Sequence, residues 1–146
     1  MQIEIKIDEK QFEPKVVILT DKMTDEIELL IKKLSEDKPQ IISGFKDKIL
    51  EIIDPQNIYR VYSANQKVYA VTEKNEYILR LRLYELEERI DKTSFVRISN
   101  TEIINLKKVK GFDLSFTGTI CVTLIDGTTT YVSRRYVVKI KRILGI

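Results

Sequence analysis

The chain has 146 residues, of which 43% are hydrophobic and 32% charged, values typical of a soluble globular protein. It contains no histidine and one cysteine, Cys121, which excludes a catalytic histidine triad, a histidine metal site and an internal disulfide. The net charge of +3 is uneven, because residues 1–40 carry −3, residues 41–90 carry zero and residues 91–146 carry +6. The basic C-terminal third favours a polyanionic partner, although on charge alone an ordinary solvated basic surface explains it equally well.

No membrane segment or targeting signal is predicted. No apolar run approaches the roughly 20 residues that a helix needs to cross a bilayer. Residues 1–7 alternate apolar and polar side chains and include acid, unlike a signal peptide. We therefore expect a cytoplasmic protein. Glycine-rich phosphate loops and metal-ligand spacings are also missing, so we expect no cofactor, no small-molecule substrate and no enzymatic activity.

Residues 1–40 are predicted to form a ββα extension. Isoleucines alternate with charged residues over 2–8 and an apolar run follows at 16–19, so both segments are predicted strands. Residues 21–37 are predicted to be helical, because five apolar residues fall on one face. These are Met23, Ile27, Leu30, Ile31 and Leu34. The extension has too little apolar surface to fold alone, so we expect a dimer contact or a docking surface for a regulator.

Residues 41–146 are predicted to form a second domain, rich in short strands. Residues 41–54 fit either a helix or a strand, and within them we take 48–53 as a strand. Strands are predicted at 48–53, 58–63, 68–72, 77–81, 95–98, 109–115, 119–125 and 128–132. The connections suit hairpins, and Asp126-Gly127 is a strong hairpin signal. Short helices are predicted over 83–90 and from an N-cap at Ser133 to a stop at Gly145. The fold class is therefore mainly β (α+β).

A polar loop, Ser99-Asn100-Thr101-Glu102, separates two apolar runs. Its hydroxyls and amide form hydrogen bonds well but catalyse poorly without help. The amide of Asn100 can bond adenine, and the guanidinium of Arg97 can bond guanine. The segment Asn65-Gln66-Lys67 offers similar groups, although taken alone an ordinary hairpin turn explains it better. For Asn105, the alternative to a functional role is a strand-end residue that bonds its own backbone.

The segment from Ser133 to Arg142 is basic and opens a helix. Arg134 and Arg135 lie in its first turn, where positive charge opposes the helix dipole. Stability alone does not explain this placement, whereas a nearby phosphate or base edge would. The alternative is that both side chains simply point into solvent. Lys139 lies one turn further along the same basic segment.

The order of these motifs resembles the LytTR DNA-binding domain family. The resemblance rests on Phe95 to Leu106, Val109, Asp126-Gly127, Val132 to Tyr136, and the short helix over 83–90. The family pattern is roughly F-x-R-x-H-x-S-x-x-V-N, a hairpin, and then V-S-R-x. Ser99 stands where the family usually has histidine, and Thr101 where it usually has serine. The resemblance covers about residues 41–146.

The resemblance implies a β-rich domain whose loops enter two successive major grooves and bend the DNA. It implies base contacts at Gln66, Asn100 and Arg135. The DNA-binding residues that we predict are Asn65, Gln66, Lys67, Arg97, Ser99, Asn100, Thr101, Ser133, Arg134, Arg135 and Lys139. The chain looks like the stand-alone type of regulator, which often accompanies a small inhibitory membrane protein.

Two functions are therefore compared. The first is a bacterial transcription regulator that binds double-stranded DNA, with a homodimer expected. The second is a β-rich interaction domain that binds RNA or an acidic protein. A salt titration against duplex DNA separates them, because counterion release predicts a steep loss of affinity for the first.

Overall fold

The computed structural model describes residues 1–35 and 41–146, and the chain divides into two units, Met1–Pro39 and Gln40–Ile146. The described elements, in chain order, are α1 (Asp25–Ser35), β1 (Ile42–Lys46), β2 (Ile49–Ile53), β3 (Ile58–Ala64), β4 (Lys67–Thr72), β5 (Glu76–Leu79), α2 (Leu83–Arg89), β6 (Phe95–Ser99), β7 (Glu102–Asn105), β8 (Val109–Asp113), β9 (Ile120–Leu124), β10 (Thr129–Val132) and α3 (Arg134–Leu144). No helix in these residues is long and apolar enough to cross a membrane.

The first unit contains a helix, but its described residues form no strand. The strands predicted at 2–8 and 16–19 are therefore wrong. Alternation produces a strand only where a neighbouring strand pairs with it and a core covers one face, and here the isoleucine side chains are exposed. The helix α1 begins at Asp25, where the hydroxyl of Thr24 accepts from the amide of Ile27 at 3.3 Å. Residues 36–37 of the predicted helix lie outside the described residues.

A seven-stranded antiparallel sheet forms the frame of the second unit, in the order β2-β1-β5-β4-β3-β7-β6. The helix α2 packs on one face of this sheet. Leu83 and Leu86 of α2, and Ile90 just after it, join a buried cluster with Val61 of β3 and Ile103 of β7. The ambiguous segment 41–54 contains two strands, because β1 pairs with both β2 and β5.

A second sheet, in the order β10-β9-β8, and the helix α3 supply a second buried cluster. This cluster joins Ile98 of β6 and Ile104 of β7 to Val122 of β9, Val132 of β10 and Ile140 of α3. The hairpin formed by β6 and β7 therefore has a core on each face, and all four residues of β7 are buried. The turn between β6 and β7 is therefore anchored by strands that pack against both buried clusters.

Glu102 and Ser133 differ from the sequence-based expectations, the first in its position and the second in its contacts. Glu102 was predicted to end the polar loop, but it begins β7, is buried, and forms an ion pair with Arg60 at 3.2 Å between Nε and Oε2. The hydroxyl of Thr130 also donates to the other carboxylate oxygen of Glu102, Oε1, at 2.7 Å. A carboxylate with these partners can be buried, which the local polarity does not reveal. Ser133 stands at the N-cap of α3 as predicted, but its side chain forms no capping hydrogen bond.

Candidate nucleic-acid interface

Three polar segments of the second unit lie side by side although they are distant in sequence. They are the β3–β4 turn, the β6–β7 loop and the start of α3. The amide of Ser63 donates to the carbonyl of Thr101 at 2.8 Å, which joins the first two. The hydroxyl of Tyr136 donates to Oδ1 of Asn100 at 3.3 Å, which joins the last two. We call residues 65–67, 99–101 and 133–135 together the loop surface.

The β3–β4 turn projects its side chains into solvent. Ala64 pairs with Lys67, so two residues make the turn, and both have left-handed backbone, with φ of 52° at Asn65 and 64° at Gln66. Asparagine tolerates this conformation, whereas for glutamine it costs about 1–2 kcal/mol. The flanking strands hold the turn in place. Asn65, Gln66 and Lys67 are all exposed.

The β6–β7 loop is a tight turn, in which Ser99 pairs with Glu102 and two residues, Asn100 and Thr101, lie between them. The hydroxyl of Ser99 accepts from the amide of Thr101 at 3.1 Å and lies 3.2 Å from the hydroxyl of Thr101. These contacts use the two hydroxyls to shape the loop itself. Asn100 stands at the exposed tip, and its amide is the group of this loop best placed to meet a ligand.

Arg97 lies beneath this loop, with its side chain only 16% exposed. Its Nε donates to the carbonyl of Ser99 at 2.8 Å, and its Nη2 donates to the carbonyl of Asn100 at 2.5 Å. Its Nη1 contacts the carboxylate of Glu87 on α2. The sequence suggested that this guanidinium faces a base, but the structure turns it towards oxygen atoms of the protein.

The start of α3 presents basic side chains beside the loop. Arg134, Arg135 and Lys139 are exposed. Arg134 packs on the turn before β9, where a Cβ atom on Gly118 would lie only 3.2 Å from its Nε. Gly118 also has a φ of +74°, so glycine is favoured there for both reasons. The unpaired amides at the start of a helix favour an anion, which makes this end of α3 a suitable place for a phosphate.

A concavity of about 760 Å³ lies between the β3–β4 turn and the β6–β7 loop. Two arginines that sequence reasoning missed, Arg80 and Arg82, line it together with Gln66, Lys67 and Asn100. Both arginines are exposed. The sequence signal is the pattern Arg80-Leu81-Arg82, in which two basic residues flank an apolar one just after a strand. They extend the positive charge of the loop surface.

Other polar residues of these strands support the frame. Asn105, which is 1% exposed, donates from Nδ2 to the carbonyl of Ile58 at 2.9 Å and accepts from the amide of Lys107 at 3.0 Å. Its role is therefore structural, because its side chain forms hydrogen bonds both to the turn that follows it and to the neighbouring strand β3. Asp91 accepts from Thr93 and Ser94 in the turn before β6, and these bonds hold the pKa of its carboxyl below 3.8. Cys121 is half-buried in β9, as expected for a structural residue.

Chemically, the loop surface offers amides, hydroxyls, guanidinium groups and a helix start. Within residues 1–35 and 41–146, no group of three or more Asp, Glu or Cys side chains is placed to hold a metal ion. Donors carried on loops, with positive charge around them, are suited to phosphates and to the edges of bases. The fold and the site thus define a β-rich nucleic-acid-binding domain.

The chain belongs to the LytTr DNA-binding domain family, whose model matches residues 48–145. It is 34% identical to an uncharacterized HTH-type transcriptional regulator of Staphylococcus aureus (strain MSSA476), over 100% of this chain and 99% of the relative. It is 33% identical to another from Staphylococcus aureus (strain NCTC 8325 / PS 47), with the same coverage. A solved LytTr DNA-binding domain from Bacillus cereus matches with a TM-score of 0.70 at 19% identity, covering 73% of this chain and 98% of that domain.

The family membership makes this protein a DNA-binding protein and confirms the predicted fold class. The names of the staphylococcal relatives mention a helix-turn-helix. In the described residues of this chain, however, each helix is separated from the next by strands. A pair of consecutive helices is needed for that motif, and the described residues of this chain contain no such pair.

Proposed function

We propose that this chain is a bacterial transcriptional regulator that recognises specific duplex DNA through the loop surface. The observation that carries the proposal is the convergence of three exposed polar segments, joined by the bonds from Ser63 to Thr101 and from Tyr136 to Asn100. The names of the relatives support the regulatory role. Because the surface combines exposed amides with exposed basic side chains, it suits both base recognition and phosphate binding.

Each residue of the loop surface, and each of the basic residues around it, has a proposed role. Gln66, Asn100 and Arg135 contact base edges, because their side chains stand at the exposed tips of the three segments. The residues proposed to face the phosphate backbone are Asn65, Lys67, Arg80, Arg82, Ser133, Arg134 and Lys139. Ser99 and Thr101 hold the β6–β7 loop in shape through their own contact.

The proposed docking places the loops in two successive major grooves. A major groove of about 12 Å admits a two-stranded ribbon as well as a helix. The turn at 65–66 ends such a ribbon, and the start of α3 is the segment proposed for the second groove, because the loop at 99–101 contacts both and lies between them. Contact at two grooves predicts protected regions about one helical turn, or roughly 10 base pairs, apart. The bend that the family resemblance implies would bring both regions to the protein.

The experiment that tests this function is selection of duplexes from a random library by the purified protein. A preferred sequence should emerge, and footprinting on it should show two protected regions. Affinity for this duplex should exceed that for random duplex by about 10³-fold or more and should fall steeply with salt. Enrichment of no sequence, with equal binding of every duplex, would contradict sequence-specific regulation.

We propose further that residues 1–40 are a separate segment that makes a homodimer contact. The described part of α1 has no buried residue, and Ile31 and Leu34 remain exposed on its apolar face. An exposed apolar face favours association, and the net charge of −3 keeps this segment from DNA. Two linked copies would raise affinity for paired half-sites through effective concentration.

Sedimentation of the full chain and of a variant without residues 1–38 tests the dimer. The full chain should sediment as a dimer, and the shortened chain should be a monomer that binds one half-site weakly. A full chain that stays monomeric at high concentration would refute the dimer and leave docking of a regulator as the role. On the family resemblance, we propose that this regulator is a small inhibitory membrane protein and that the chain itself is cytoplasmic. Co-purification of the chain with membranes would test this.

The alternative of an RNA-binding sheet is less favoured, for a structural reason. RNA-binding sheets stack bases on open aromatic rings. Here the guanidinium of Arg60 lies 4.4 Å from the ring centroid of Tyr62, and that of Arg80 lies 4.8 Å from the ring centroid of Phe45. These arginines cover one face of each ring. Competition between duplex DNA and single-stranded RNA of equal charge would separate the two functions.

A further inference from the structure

We infer that Arg97 is a positioning residue that holds the β6–β7 loop in the shape needed for base recognition, with Glu87 fixing its guanidinium. The inference rests on the proposed contact between Asn100 and a base. It assigns a residue of α2, outside the loop surface, to the recognition of DNA. It also gives Arg97 a role other than the direct DNA contact that its position in the motif suggested.

The first support is the direction of the donors of Arg97. Nε and Nη2 donate to two successive main-chain carbonyls of the loop, those of Ser99 and Asn100, at 2.8 and 2.5 Å. Nη1 is directed to the carboxylate of Glu87. Hydrogen bonds that involve a charged group are about twice as strong as neutral ones. One side chain thus connects the loop to α2 through three of its nitrogen atoms.

The second support is the backbone of the loop. The pairing of β6 with β7 shifts register between Arg97 and Ser99, so the ladder is irregular just before the turn that Ser99 and Glu102 close. Beside this irregularity, the carbonyls of Ser99 and Asn100 converge on one cation. When the carbonyl of Asn100 is fixed, the direction of its side chain is restricted as well. The amide of Thr101, bonded to Ser99, completes a closed loop whose shape depends on the guanidinium.

The third support is the charge at this position. The side chain of Glu87 is 36% exposed, and it lies against the guanidinium that would otherwise be drawn to a phosphate. A direct phosphate contact by Arg97 would compete with this carboxylate and with two carbonyls. Glu88, the next residue of α2, is exposed. It therefore provides a matched control for the loss of one negative charge.

The test compares Glu87→Gln with Glu88→Gln, and Arg97→Lys with Arg89→Lys. Affinity is measured for the selected duplex and for random duplex over a range of salt. We expect Glu87→Gln and Arg97→Lys each to lower affinity for the selected duplex by about tenfold, a loss comparable to one mismatched base pair. Affinity for random duplex should not fall in any of the four variants. Electrostatics alone predicts the opposite for Glu87→Gln, because removal of an acidic group strengthens DNA binding.

A second measurement needs no DNA. Hydrogen exchange of the Thr101 amide in the free protein should become faster in Glu87→Gln and in Arg97→Lys, and should stay unchanged in both controls. Unchanged exchange in the two test variants would overturn the inference. Equal loss on both duplexes for Arg97→Lys, with a salt slope reduced by about 1, would assign Arg97 to a phosphate instead. If no duplex is selected, the proposed function fails, while the exchange result still decides the role of Arg97.

Discussion

The hydroxyl of Tyr136 is predicted to contribute to DNA recognition without touching DNA. It donates to Oδ1 of Asn100 at 3.3 Å and so links α3 to the tip of the β6–β7 loop. Tyr136→Phe removes only this oxygen, because the ring packs against the second buried cluster and is retained. A neutral hydrogen bond contributes about 0.5–1.5 kcal/mol, and this long one belongs near the lower end. We therefore expect about a two- to fivefold loss of affinity for the selected duplex and none for random duplex.

A double-mutant cycle identifies the cause of that loss. Fluorescence anisotropy of a labelled duplex measures the wild type, Tyr136→Phe, Asn100→Ala and the double variant. If Tyr136 acts by orienting Asn100, its substitution has no further effect once Asn100 is alanine. The same two- to fivefold loss in both backgrounds would refute the reasoning, since it would mean that Tyr136 acts independently of the amide.

Three further predictions concern the frame. Asn105→Ala should lower the free energy of unfolding by about 2–3 kcal/mol in a urea titration, because it leaves the buried carbonyl of Ile58 without a donor; a loss below about 0.5 kcal/mol would contradict this. The hydrogen bond to Glu76 raises the pKa of Tyr62 from 10.0 to about 12, so its contribution to stability is complete below pH 10 and is lost towards pH 12. An absorbance titration should show several late tyrosines, because burial also raises the pKa of Tyr59 and a hydrogen bond to Glu51 raises that of Tyr77. Part of this late phase should titrate earlier in Glu76→Gln, and an unchanged curve would exclude this bond as the cause. Hydrogen bonds from Thr93 and Ser94 lower the pKa of Asp91, so its contribution is present above about pH 4 and is lost as the pH falls further; Asp91→Asn should flatten the acid unfolding curve, and an identical curve would refute this.

Local sequence patterns predict the elements that depend on local contacts. The helix α3 ends where Gly145 adopts a φ of 74°, as its position predicts. The strands β3, β4 and β5 form hairpins through short polar turns, also as predicted. In contrast, the alternation over 2–8 has the right period for a strand, but no strand of the described residues pairs with it. Alternation with a period of two residues shows which side chains would share a face of a strand. It does not show that a second strand is present to pair with it.

The direction of polar side chains depends on contacts that the sequence does not display. Arg97 and Asn100 share one motif, yet one faces protein oxygen atoms and the other stands at the exposed tip of the loop. Glu102 follows that loop directly, but a charged partner 42 residues earlier in the chain, Arg60, allows its burial. Arg80, which follows β5 in the chain, lines the concavity beside Asn100. The order of strands in the sheet brings β3, β6 and β7 together, and the pairing of β5 with β4 brings Arg80 to the β3–β4 turn.

The central claim is that bases are recognised by side chains at the tips of the loop surface and phosphates by the basic residues around them. The most direct test measures Arg135→Ala, Asn100→Ala and Lys139→Ala on the selected duplex and on random duplex as a function of salt. Arg135→Ala and Asn100→Ala should each cost about 1–3 kcal/mol on the selected duplex alone and relax the preference at one base position. Lys139→Ala should weaken both duplexes alike and lower the salt slope by about 1. Equal losses on both duplexes for Arg135→Ala would contradict its role in recognising a base.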